Sequence, residues 1–82
     1  MTIRLDQVPL GHSFRITHID WDSLSADEGR RLREFGLDEG VTVTPAHRGS
    51  LFSRDPLALT IGRMQVIIRA AQAAAIEVEP AA

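Results

Sequence analysis

Residues 30–40 read RRLREFGLDEG, three arginines followed by two glycines four positions apart. How this stretch is read decides the fold. Just upstream, Ser25 with Glu28 three residues later forms a capping box, in which each side chain satisfies an orphan amide of a first helical turn. Asp27 and Glu28 suit the positive end of the helix dipole, and Arg30, Arg31 and Arg33 suit the negative end. Leu32 and Phe35 supply the apolar stripe. The spacing therefore predicts a helix over 26–35. Gly36 ends it in the left-handed conformation, with Leu37 folding back on Leu32. Asp38-Glu39-Gly40-Val41 then reads as a tight turn, with Gly40 where φ must be positive.

Outward from this corner the chain is β. Upstream, SFRITHI (13–19) places Phe14 and Ile16 in alternation, but Ile19 falls out of phase. Either a bulge intervenes or the strand end is apolar on both faces. Before it, LDQVPLG (5–11) is turn-like. Downstream, VTVTPAH (41–47) alternates strictly as far as Pro45. LALTI (57–61) and MQVIIR (64–69) flank Gly62-Arg63, a two-residue hairpin with glycine at its first central position. IEVE (76–79) alternates again, and AAQAAA (70–75) is long enough only for a helical corner. The expected fold is mainly β. It is a small antiparallel barrel of about five strands, with one helix after the first long strand and a short helical corner before the last. Closure hides edges that a single open sheet would expose.

The chain has 82 residues, enough for one domain spanning 1–82, with its core at about 5–78 and a tail, 79–82, that frays. It has no cysteine, which excludes disulfides, thiolate metal sites and cysteine catalysis. The N-terminus has no apolar run long enough for a signal peptide, and nothing later spans a bilayer. A cytoplasmic protein without direct membrane insertion is expected. Strand edges at the barrel seam would allow a homodimer.

The net charge is −2, and all nine basic residues are arginine. Glu34 beside Arg30 and Arg31 describes a solvated helix face. With one Trp and no Tyr, stacking platforms for bases are scarce, so no nucleic-acid partner is expected. Nucleophile elbow, HExxH, phosphate-cradling glycine loop and paired apolar carboxylates are all absent, so the sequence does not read as an enzyme. The candidate metal ligands are His12, His18 and His47, for Fe(II) or Zn(II). Their spacing sets no two of them on one face of a helix or strand, and no cofactor is required. The long connection HRGSLFSRDP (47–56) sets Leu51 and Phe52 in a polar segment. There they either fold onto the barrel rim or meet a partner.

Taken together, these motifs resemble the FeoA family, whose pattern is close to R-L-x-x-L-G-L-x-P-G-x-x-V, then G-D-P, then L-R-x-x-E-A-x-x-I-x-V. Arg31-Leu32, Gly36-Leu37 and Gly40-Val41 fill the first part, Asp55-Pro56 the second, and Ile68-Arg69, Ala73, Ile76 and Val78 the third. Glu39 replaces the turn proline, Arg54 the glycine before Asp-Pro, Phe35 a leucine and Gln72 the acid. The resemblance implies an SH3-like barrel acting as a cytosolic accessory of ferrous iron uptake, bound to the cytosolic part of the FeoB transporter. Candidate partner-binding residues are Leu51, Phe52, Arg54, Asp55 and Arg31. The alternative is a metal-binding or metal-sensing module resembling the C-terminal domain of DtxR-like repressors.

Overall fold

A computed structural model describes residues 2–49 and 55–81. The helix predicted at the central corner is α1, Ala26–Glu34. Ser25 Oγ accepts from the Glu28 N–H, and the Glu28 carboxylate accepts from the Ser25 N–H at 2.9 Å, so the capping box is formed. At the other end Gly36 has φ +89°. Its N–H donates to the Arg33 carbonyl at 3.0 Å and that of Leu37 to the Leu32 carbonyl at 2.9 Å. This pair of bonds ends the helix, and Leu37 and Leu32 are both fully buried in the core.

The turn that follows is closed by the Val41 N–H on the Asp38 carbonyl at 3.3 Å, with Gly40 at φ +89°. It docks on the first long strand through Gly40 N–H to the Ile16 carbonyl and Ile16 N–H to the Val41 carbonyl. Glu39, which stands where the family pattern has proline, keeps an amide that donates to Asp38 Oδ1 at 2.8 Å. Its own Oε2 accepts from the Ile19 N–H at 3.0 Å. Side-chain bonds here take the part of proline's rigidity.

Six strands surround the core: β1 (Ile3–Arg4), β2 (Phe14–Ile19), β3 (Thr42–Arg48), β4 (Leu57–Ile61), β5 (Met64–Ile68) and β6 (Ile76–Pro80). All pairings are antiparallel, in the order β1-β6-β2-β3-β4-β5. The expectation of about five strands missed β1. Two exposed residues carry no alternation to read, and the pairing of Ile3 with Val78 exists only once β6 is in place. A five-residue helix, α2 (Ala70–Ala74), makes the expected corner before β6. The strand runs on through Glu79 and Pro80, past the point where the tail was expected to fray, and the Ala81 N–H donates to the Ser13 carbonyl.

The slip in β2 is a bulge, with the register shifting between Ile16 and His18. One extra residue returns Ile19 to the interior beside Phe14 and Ile16. β3 also passes through Pro45 with a register shift before His47. Ile16, Ile76 and Val78 from one half of the sheet join Val43, Leu57, Leu59 and Ile68 from the other in one cluster with Leu32 and Leu37. The sheet is therefore wrapped around a single interior. Among the described residues, no helix is long and apolar enough to cross a membrane.

Candidate functional site

Each arginine of the central corner has a local environment. Arg30 meets Asp27 at 2.7 Å and Glu34 at 3.9 Å on the exposed face of α1. Arg33 lies over the Trp21 ring, 4.2 Å from its centroid. Gly29 lies against the same ring, where an added Cβ would sit 3.5 Å from the indole. Sequence reasoning did not foresee this stack, because Trp21 precedes the helix in a short 3-10 turn, Trp21–Ser23, that nothing in the periodicity announces. Arg31 lines a cleft of about 170 Å³ with Asp27, Glu28 and Gln72, between the first turns of α1 and α2. Hydrogen bonds from the Ser25 backbone and hydroxyl, with a smaller contribution from the Gln72 side chain, hold the Glu28 carboxyl below the usual range.

Gln72 is a buried polar residue at the core's rim, 6% exposed. Its Oε1 accepts from the Arg69 N–H at 3.0 Å, capping α2, and its side chain lines the cleft beside Glu28. The amide has an N–H group left to offer toward Glu28, which the acid of the family pattern would have only if protonated. That departure in the motif was the one signal in the sequence pointing to it.

Asp55, a candidate partner residue, is held at the start of α2. Its Oδ1 accepts from the Ala70 N–H at 2.7 Å and its Oδ2 meets Arg69 Nη2 at 2.5 Å. Across from it, a Cβ on Gly49 would lie 2.6 Å from the Asp55 carbonyl carbon and 2.7 Å from Pro56 Cδ. The main chain of Gly49 and that of Asp55 therefore touch, and only glycine fits at the contact. Leu51, Phe52 and Arg54 lie outside the described residues.

The three histidines occupy separate places. His12 lines a mostly apolar cleft of about 390 Å³ with Pro9, Ser13, Phe14, Pro80 and Ala81. His47 lines another, about 270 Å³, with Gly49, Pro56, Ala58, Gln65 and Ile67. His18 stands on β2 opposite Glu77 of β6. Among the described residues, no three His, Asp or Glu side chains are grouped so as to hold a metal ion. Histidine spacing had set no two of these residues on one face, and the fold does not gather the three.

The FeoA domain family matches residues 3–80. FeoA from Stenotrophomonas maltophilia, solved in complex with zinc and described as a prokaryotic SH3 domain protein, is 28% identical with a TM-score of 0.72. The alignment covers 96% of this chain and 89% of that one. Iron(II) transport protein A from Clostridium thermocellum gives 24% identity and a TM-score of 0.81 over 95% of this chain, which spans 45% of that protein's length. A manganese-dependent transcriptional repressor, 15% identical, gives a TM-score of 0.82 over 98% of this chain and 42% of its own. At those identities the likeness is one of fold, and the fold is SH3-like. No curated protein sequence matches the chain.

Proposed function

This chain belongs to the FeoA family, and on that premise we propose that it is a non-enzymatic, cytoplasmic accessory of ferrous iron uptake, acting by binding the cytosolic part of a FeoB-like transporter. The observation that carries the reading is the family match, which runs from β1 to the end of β6. The geometry is compatible with an adaptor. In the cleft between α1 and α2, Glu28 and Gln72 cap the two helices and Asp27 pairs with Arg30. The contact surface in this reading is the connection 47–56, with Leu51, Phe52, Arg54 and Asp55, together with α1, where Arg31 faces the cleft to α2.

Titration of isotopically labelled protein with the transporter's cytosolic region tests it. Amide resonances in 47–56 and 24–37 are expected to move. If none moves at near-millimolar partner, the proposed surface is wrong.

One observation favours a second reading, a direct metal-binding or metal-sensing role: the relative from S. maltophilia was solved with zinc. Calorimetry with Fe(II) and Zn(II) separates the two. The accessory binds its partner without added metal. A metal module takes up the ion and loses it when His12, His18 or His47 becomes alanine.

A further inference from the structure

The two edge strands of the sheet are finished differently. β1 is two residues long, and its Arg4 is ion-paired with Asp6. Shortness and charge both keep an edge from pairing with another chain. β5 has neither protection. It pairs with β4 alone, over all five residues from Met64 to Ile68 and with no shift of register, whereas the β2–β6 and β3–β4 pairs each carry a shift. Its stretch MQVII holds no charge and no proline.

The two-residue turn Gly62-Arg63 makes Ile61 and Met64 the bonded pair that closes the hairpin, and bonded pairs alternate along an antiparallel ladder. Main-chain groups of Met64, Val66 and Ile68 therefore point to β4, and those of Gln65 and Ile67 point outward. Among the described residues, neither Gln65 nor Ile67 has a main-chain bond to another element. Ile67 is 60% exposed and Met64 54%, the two most exposed large hydrophobics described. Across the sheet Ile67 continues a row with Ala58 and His47, and Gln65 a row with Thr60 and Thr44. Both rows lead to the edge without an acid or an arginine.

We infer that the β5 edge is the surface on which a second copy of this chain docks, with the two β5 strands antiparallel about a two-fold axis at Val66. Gln65 of each copy then exchanges both main-chain bonds with Ile67 of the other, so every outward group of the two strands is satisfied. Met64 lies opposite Ile68 of the other copy, which covers the exposed methionine. Charge favours this occupant, because no like charges meet within the paired stretch. At its ends Arg63 faces Arg69 of the other copy, whose charge Asp55 already balances at 2.5 Å. A five-residue edge is short of the roughly 20–30 residues a side of a standard interface, so the dimer is weak and concentration-dependent. The inference is independent of the transporter reading.

Sedimentation velocity of the full chain, from micromolar to near-millimolar concentration, reads the mass, and amide hydrogen exchange reads the edge. The mass is expected to rise toward twice that of the monomer, with the Gln65 and Ile67 amides gaining protection as it does. Ile67→Lys puts a charge into the paired stretch at an exposed position. It should weaken association about tenfold, since the dimer contains the site twice, and leave the urea midpoint of the monomer unchanged. Met64→Lys should act in the same direction, and it carries the comparison if Ile67→Lys does not fold. A chain that stays monomeric throughout overturns the inference, as does a dimer that Ile67→Lys leaves unweakened. Masses beyond the dimer also count against it, because two-fold pairing uses up the edge. So does protection that grows elsewhere while Gln65 and Ile67 exchange freely.

Discussion

Two corners of this domain are both held rigid, by opposite means. The corner at 25–41 is shaped by bonds between residues three to five apart, the Ser25–Glu28 box, the Gly36 and Leu37 amides and the Asp38–Val41 turn, and is then docked on β2 through Gly40, Val41 and Glu39. The junction of Gly49 with Asp55 is fixed by residues distant in the chain, with Asp55 reaching Arg69 and Ala70, beside the cleft that Gln72 and Glu28 line. The first can begin to form in an isolated segment. The second exists only when the barrel has brought β3, β4 and α2 together. Local corners are therefore robust to changes elsewhere, whereas the remote junction should respond to any shift of α2.

The largest test strikes where the local corner enters the shared core. Leu37→Ala removes a fully buried side chain that packs with Leu32, and should cost about 2–5 kcal/mol. In a domain of this size each kcal/mol lowers the melting temperature by about 4–8 °C, so calorimetry reads it directly. A loss under 1 kcal/mol would mean that the helix end is not held by its core contact.

Gly49→Ala against Gly36→Ala sharpens the contrast. At Gly49 the added methyl meets backbone, so about 1–3 kcal/mol is expected, with resonance changes spreading to Asp55 and 69–72. At Gly36 the methyl meets open space but the left-handed φ remains, so about 1–2 kcal/mol is expected, with changes confined near the helix end. Equal spread from both sites would erase the distinction.

Ser25→Ala is next, at about 1 kcal/mol for loss of the cap, measured by urea unfolding. The smallest effect is acid dependence. Ser25 holds Glu28 below its usual range, so the native state gives up that proton at lower pH than the unfolded chain does. The stabilisation is complete above the usual carboxylate range and is lost as pH falls through the depressed native value. Glu28→Gln should flatten that part of the profile in denaturant midpoints taken from neutral to acidic pH. An unchanged slope would show that the cap does not depend on the charge.

Several features were visible in sequence because their cause is local. The capping box and the Gly36 stop placed α1, and the β4–β5 hairpin shows glycine opening its turn, with Gly62 at φ +58°. The slip at Ile19 was visible too, yet two explanations fitted it. Only the need to bury Ile19 beside Ile76 selected the bulge. Trp21 gave no signal, since its place against Gly29 and Arg33 depends on a short turn that periodicity does not encode. Asp55 was legible as part of a motif but not in its role, because Arg69 and Ala70 are far along the chain.

The sequence by itself determined the elements, the corner at 25–41 and the family, because spacing along the backbone fixes which amides and side chains can meet within a turn or two. Tertiary structure alone decided the sixth strand, the separation of His12, His18 and His47, and the closure of Gly49 on Asp55. Each of those depends on where wrapping the sheet around a common core brings segments that have no local reason to touch.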